Sequence, residues 1–305
     1  MTVEIGRKKE NILGIDVDST SIPQVLRRIR AKLANFDRAR LGFNQLKAKN
    51  NGFLIVTPNP EQVMRAQEDS VFAKILNSAD ISVPDGIGLI AAHKFLILPK
   101  TKNLILKPFL YFAQGLGVGF SVVFDRKWLT KEINVIRGRK LFMEIIRLAN
   151  KKRWRVFLLG DKLKSAKKAA DELRKSYKSI KLDACEGPDL DEDANPVNPE
   201  DKEIERKAMD AINKVNPQVL FVGFGAPKQE KWVYRHINEI NVGGTMVVGG
   251  TFDYVSGKKP LPPKWAEDMG LEWFWRLMKK DQKVKRIINA FPKFAWRVFE
   301  EKLLR

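Results

Sequence analysis

The chain has 305 residues, 44% of them hydrophobic, so it can bury a sizeable core and is not globally disordered. Lys and Arg outnumber Asp and Glu by 56 to 36, a formal charge of +20 that calls for an anionic partner without choosing between nucleic acid, acidic phospholipid and a phosphorylated substrate. The single Cys185 excludes an intramolecular disulfide and any multi-cysteine metal cluster and fits a reducing cytosol, and the start MTVEIGRKKENILGI lacks the long apolar core of a secretory signal.

In chain order, NILGIDV (11–17) reads as a short strand. DSTSIPQVLRRIRAKLANF follows as a helix, with Ser, Thr and Asp as cap candidates and Val25, Ile29 and Leu33 at helical spacing. GFLIVTPNP (52–60) is a second strand, ending at Thr57, and PEQVMRAQEDSVFAKILNSA is a helix with Pro near its first turn. DISVPDGIGLIAAHKF repeats the scheme through the turn PDG, RWRVFLLG (153–160) leads into DKLKSAKKAADELRKSY, and PQVLFVGFG leads into APKQEKWVYRHINEI. GTMVVGGTFDYVSG supplies a last strand. Strands that are nearly continuous in apolar residues and alternate with helices predict an α/β, Rossmann-like fold: a mainly parallel sheet covered on both faces, with ligands gathered at the carboxyl ends of its strands.

Two segments interrupt the rhythm. LILKPFLYFAQGLGVGFSVVFDRKW (104–128), inside an insertion of about 95–135, has no charged residue from Pro108 to Phe124, with Lys100, Lys102 and Lys107 before that run and Arg126 and Lys127 after it. The run is shorter than the roughly 20 residues of a spanning helix, and its Pro and glycines weaken a straight helix, so an interfacial or re-entrant membrane-associating insertion is expected. A buried core hairpin is the alternative. The tail GLEWFWRLMKKDQKVKRIINAFPKFAWRVFEEKLLR interleaves Trp273, Leu277 and Ile287 with Arg276, Lys279 and Lys283, which reads as a basic amphipathic helix on a membrane surface or as a helix packed on the core. The chain divides accordingly into an α/β core over 1–257 and a helical C-terminal appendage over 258–305. EGPDLDEDANPVNPED (186–201) reads as an acidic surface loop.

Three strand ends carry residues suited to chemistry: TPNPE (57–61), PDGIG (84–88) and GFGAPKQE (223–230). Gly223 and Gly225 allow a tight turn and a close backbone approach, and the amides of the helix that follows attract a phosphate; equally, such glycines cap or pack. Gln229 offers an amide to a sugar hydroxyl or acetamido group, and Lys228 offers charge to a leaving phosphate. Asp85 can take a proton from an attacking hydroxyl, although Asp-Gly is also a common turn dipeptide. Thr57 and Asn59 line a strand end or cap the helix that begins at Pro60. Gly-x-Gly-x-x-Gly and Walker patterns are absent, and His93 and His236 are the only histidines, which counts against dinucleotide, P-loop, histidine-metal and Ser-His-Asp sites. Asp16 and Asp18 are spaced like a metal-binding Asp-x-Asp motif, but Asp18 with Ser19 and Thr20 reads more simply as a helix-cap cluster.

Taken together in order, TPNPEQVMRAQED, PDGIGL, FVGFGAPKQEKW, GGTFDYVSG and GLEWFWRL resemble the WecG/TagA/CpsF group, glycosyltransferase family 26. The resemblance implies an inverting, metal-independent hexosyltransferase without a cofactor. It would move a sugar such as N-acetylmannosamine from UDP to a polyprenyl-diphosphate-linked glycan on the cytoplasmic face of the membrane, in cell-surface polysaccharide synthesis. It assigns Asp85 as general base, Thr57 and Asn59 to the pocket, Gln229 to the substrate, Asp253 to the neighbourhood of the uridine, and Arg276 to the basic appendage. The family's Arg-x-x-Gly-x-Asp-Leu motif is altered here to VIRGRKL (135–141), with Val135 and Lys140 at the Arg and Asp positions and Arg137 or Arg139 as replacement cations for the diphosphate. Its Glu-Pro-x-Arg is replaced by KKDQKVKR. The expected partners are the UDP-sugar, the lipid-linked acceptor, an anionic membrane surface and, in a homo-oligomer, other copies of the chain; nucleic acid is not expected. A non-catalytic membrane scaffold that binds UDP-sugars, or a nucleic-acid-binding protein, are the rival readings.

Overall fold

The computed structural model describes residues 8–40, 52–264, 266, 275 and 292–304. Arg276 and, apart from Trp275, the basic tail run over 267–291 lie outside the described residues.

The first described elements form a hairpin rather than the single strand predicted over 11–17. β1 (Lys9–Ile12) pairs antiparallel with β2 (Ile15–Asp18) around Leu13 and Gly14, whose φ values of 50° and 79° give the mirror-image turn that matches hairpin twist. α1 (Ile22–Arg40) follows, its start held by Gln24, whose Oε1 accepts from Ser21 N at 2.8 Å. Asp18 is buried, ion-paired with Arg28 at 3.0 Å and accepts from Ser82 N at 3.1 Å, a strut between the hairpin, α1 and the main sheet.

β3 (Phe53–Val56) leads to α2 (Pro60–Glu68) and α3 (Ser70–Ser78), which replace the one long helix expected over 60–79. The break falls at Asp69, whose carboxylate accepts from Phe72 N at 2.9 Å and caps the second helix. β4 (Ile81–Ser82) and α4 (Ile87–Ile97) precede the insertion, which contains α5 (Leu106–Phe124) and α6 (Arg126–Leu129). α7 (Gly138–Lys152), β5 (Arg155–Gly160), α8 (Ser165–Ser176), β6 (Lys181–Glu186), α9 (Pro199–Val215), β7 (Val219–Gly223), α10 (Lys228–His236), β8 (Gly244–Val247), α11 (Thr251–Val255) and α12 (Phe294–Leu304) complete the described chain. The predicted last strand stops at Val247, and its TFDYV continuation is helical.

The six strands from β3 to β8 form one wholly parallel sheet in the order β4-β3-β8-β7-β5-β6. Because side chains alternate along a strand, each strand feeds two cores. Leu54, Val56, Leu220 and Val222 point to the layer containing α2, α3, α4, α9 and α10; Phe53, Ile55, Val219 and Phe221 point to the layer containing α1, α7 and α8. The predicted three-layer α/β architecture is therefore present.

The insertion takes neither the re-entrant form nor that of a buried core hairpin. It does not re-enter: 106–124 is one continuous helix, because Pro108 sits in the first turn, where a missing N–H costs no intrahelical bond. Neither is this helix core, since Tyr111 and Val118 are its only buried residues.

Candidate active site

The carboxyl ends of β3 and β4 supply the first two walls. Asp85 N donates to Pro58 O at 2.8 Å, tying the loop that holds Thr57 to the loop that holds Asp85. A third segment arrives after the whole insertion: Ile136 N donates to Pro84 O at 3.1 Å, and Gly138 N, in the first turn of α7, donates to Asp85 Oδ2 at 3.1 Å. Gly138 has no room for a side chain, because a Cβ there would stand 3.1 Å from Thr57 Oγ1 and 3.2 Å from Asp85 Oδ2. The Thr57 hydroxyl and the Asp85 carboxylate thus share the amino end of α7, where aligned peptide dipoles favour negative charge. Arg137 is the N-cap of α7, and Arg139 lies over the ring of Tyr254 in α11 with 5.2 Å to the centroid. The altered VIRGRKL segment therefore lands beside Asp85, with Arg137 at the N-cap and Arg139 in the first turn of α7.

The GFGAPKQE turn is built differently. Gly225, with φ of 83°, turns the chain out of β7. Gln229 is only 3% exposed; its Oε1 accepts from Gly225 N at 3.2 Å and Gly249 N at 3.0 Å, and its Nε2 donates to Glu230 Oε1 at 3.0 Å. Asn59 caps α2 in a reciprocal box, Asn59 Oδ1 accepting from Gln62 N at 2.9 Å and Gln62 Oε1 from Asn59 N at 3.1 Å. Gln62 Nε2 then donates to the same Glu230 Oε1 at 3.2 Å. Asn59 and Gln229, which the sequence pattern directs to the substrate, are in this structure the two ends of a polar chain that locks together the loops after β3, β7 and β8. Gly223 sits against Phe252 and Gly249 O, so its role here is close packing. Lys228 donates through Nζ to Leu190 O in the acidic loop, away from the Asp85 cluster.

Those polar groups need an anchor, and Glu230 is it. The side chain is fully buried, burial pushes its carboxyl up to about 7, and its Oε2 has no hydrogen-bond partner among the described residues. Sequence reasoning passed it over because KQEK looks like a solvated helix face. The signal lay just beyond Lys231: Trp232 and Val233 follow within three residues, and a helix buried over 229–233 cannot keep Glu230 in water.

An open depression bounded by Arg65, Glu68, Asp69, Ser70, Asp193 and Lys231 includes none of these strand-end residues. Its charges are already matched, with Lys231 Nζ at 2.7 Å from both Asp69 and Asp193. Among the described residues no group of three His, Cys, Asp or Glu is placed to hold a metal ion.

The profile of the Glycosyl transferase WecG/TagA/CpsF family matches residues 10–106 and 116–305, all of the site's loops included. The chain belongs to this family. It is 25% identical over 304 residues, 99% of this chain and 97% of the relative, to an N-acetylglucosaminyldiphosphoundecaprenol N-acetyl-beta-D-mannosaminyltransferase of Staphylococcus aureus. It is 28% identical over 256 residues, 82% of this chain and 80% of the relative, to a protein of the same name from Bacillus subtilis. The resemblance read from the five motifs is borne out, and the stretch 107–115 that the WecG/TagA/CpsF profile leaves unmatched is the first half of α5.

In this WecG/TagA/CpsF chain Asp253 stands at a neighbouring strand end. It accepts from Ser165 Oγ, at the start of α8, at 2.6 Å and pairs with Lys259 at 3.3 Å. Asp161, after β5, is held above the usual carboxylate range, by burial foremost and by the nearby Asp253 charge as well. Arg139 and Tyr254 connect this group to the Asp85 cluster.

Proposed function

We propose that the protein moves N-acetylmannosamine or a similar hexosamine, with inversion, from a UDP donor to a sugar carried on polyprenyl diphosphate, as a step in cell-surface polysaccharide synthesis. The names of its relatives describe such an acceptor and such a transferred sugar. The single observation that carries the reading is the meeting of Asp85 with the amino end of α7 between Arg137 and Arg139.

The chemistry is one displacement. Asp85 takes the proton of the acceptor hydroxyl, whose oxygen forms a bond to the anomeric carbon while the bond from that carbon to the diphosphate oxygen breaks and its electron pair leaves on UDP. Thr57 offers a hydroxyl beside Asp85 to orient the acceptor. The α7 dipole, Arg137 and Arg139 meet the charge on the departing diphosphate, and removing one such donor in other enzymes costs about 2.7–4 kcal/mol. The proposed displacement uses neither cofactor nor metal, and its expected consequence is turnover that persists in a chelator. The lipid-linked acceptor keeps the enzyme attached monotopically at the cytoplasmic surface of the membrane.

Transfer from UDP-N-acetylmannosamine to a short-chain lipid-diphosphate glycoside is the direct test. Asp85→Asn lowers kcat about 10²–10⁴-fold with little change in donor KM, the range for a general base. Full turnover in that variant sinks the assignment.

A further inference from the structure

α5 and its flanks form an exposed apolar surface that the site does not explain. Tyr111 is buried beneath Lys302 of α12, 4.8 Å from Nζ to ring centroid, and Val118, two turns on, is buried on the same side. Phe109, Phe112, Leu116 and Phe120, at intervals of three, four and four residues, form a second stripe on the opposite side of the helix and stand 71%, 62%, 61% and 64% exposed. A helix that is apolar on its outward face marks a protein contact or a membrane contact.

The charges choose between them. No residue from Pro108 to Phe124 is charged, whereas Lys100, Lys102 and Lys107 precede the run and Arg126, Lys127 and Lys131 follow it, with Asp125 as the one acid between. A second copy docked on this face would bring six like charges against six, on chains that each carry a formal +20. A span is equally disfavoured, because α5 is fastened to the body through Tyr111 and Val118 and carries cations at both ends, which puts both ends at one headgroup level.

We propose that α5 is an interfacial anchor that lies flat in a bilayer containing anionic phospholipid, with its Phe109–Phe120 stripe among the acyl chains and the flanking lysines on lipid phosphates. It rests on the reading above for its purpose, since a lipid-borne acceptor must be met at the membrane, but not for its test. The anchor is spliced into the site: α4 runs from the Asp85 turn towards it, and the segment after α6 returns from it to Gly138. Seating α5 in lipid therefore sets how the Asp85 cluster faces the leaflet.

Sedimentation of the full chain with phosphatidylcholine vesicles, with and without phosphatidylglycerol, tests this in the absence of any sugar. Phe109→Ser, Phe112→Ser and Phe120→Ser together lower partitioning at least about tenfold on both vesicle types. Lys100→Glu, Lys102→Glu and Lys127→Glu lower it only on the anionic ones, with the salt dependence of wild type lost. All six positions except Lys102, Lys100 and Lys127 are apolar stripe residues, and all are exposed, so both triple variants keep the wild-type melting temperature and the turnover of a water-soluble acceptor. Unchanged vesicle binding in either triple variant overturns the proposal. So does a wild-type dimer that the Ser variant dissolves while vesicles are ignored by both, which would make the face a self-interface. If vesicles bind as expected but no sugar is transferred, the anchor stands and the transferase reading falls.

Discussion

Glu230 never needs to touch the sugar to matter. Its Oε1 accepts from the side-chain amides of Gln62 and Gln229, so both glutamines must turn their carbonyl oxygens to backbone N–H groups of Asn59, Gly225 and Gly249. Glu230→Leu strands the buried amide of Gln229, at about 1–3 kcal/mol, and the half-buried amide of Gln62, and loosens three loops at once; donor KM rises together with the loss of stability. Glu230→Gln keeps a carbonyl acceptor in place and stays near wild type. Titration separates the two effects further. Burial raises this carboxyl from 4.5 to about 7, so the folded protein holds the proton more tightly than the unfolded chain, and this group's contribution to stability declines as pH rises from about 4.5 through about 7. Urea melts across that window show the wild-type advantage over Glu230→Gln shrinking as pH rises; an identical pH slope in both proteins refutes the buried-acid assignment. At this scale Asp85 and Thr57 were legible because polar residues at the end of an apolar strand have few reasons to be there. Glu230 was not, since nothing in a charged dipeptide reveals which way a helix faces.

Elements were legible where their pattern is purely local. Continuous apolar runs marked β3, β5 and β7, and 3.6-residue spacing marked α1 and α8. Breaks made by a single side chain were not: Asp69 splits α2 from α3 with one capping bond, and Leu13 and Gly14 fold one apolar run into a hairpin. β6 is an edge strand, KLDACE, half polar and so without the run that identifies its neighbours. The α12 helix poses a different problem, because its anchor is a lysine. Lys302 is wholly buried, donates to Phe95 O at 2.5 Å and Gln114 Oε1 at 2.6 Å, and sits over the rings of Phe95 and Tyr111, clamping the C-terminal helix to α4 and α5. Burial, with Lys100 adding to it, lowers its pKa from 10.5 to about 8. The unfolded chain then binds the extra proton between those values, so this group makes the fold more stable as pH climbs from about 8 to about 10.5. Cys185 works the other way over part of that range, its thiol pushed up from 9.0 to about 12 by burial. Subtracting Lys302→Met from wild type cancels the cysteine, and the difference in urea midpoint grows with pH across the window; a flat difference shows that Lys302 is not the titrating group.

On the scale of the molecule, the sequence order of the strands says little about which loops meet. β3 and β8 lie far apart in the chain, yet they are sheet neighbours, and only that adjacency lets Gln62 and Glu230 join the α2 cap to the turn after β7. Likewise 53 residues separate Asp85 from Gly138, with the anchor helix between them. A site assembled this way is only as rigid as the sheet beneath it, so occupancy of the donor site feeds back on global stability. A nucleotide at a hundredfold its Kd adds about 2.7 kcal/mol, or roughly 5 °C in Tm for a chain of this size. UDP alone therefore raises the melting temperature of wild type, and of Asp85→Asn by the same amount, because a base acts on the acceptor and not on the diphosphate. Arg139→Ala, which removes a cation from the amino end of α7, shrinks the shift. Scanning fluorimetry with the three proteins distinguishes the roles: a shift lost in Asp85→Asn means that this carboxylate holds the donor, and a shift kept in full by Arg139→Ala moves the diphosphate away from α7.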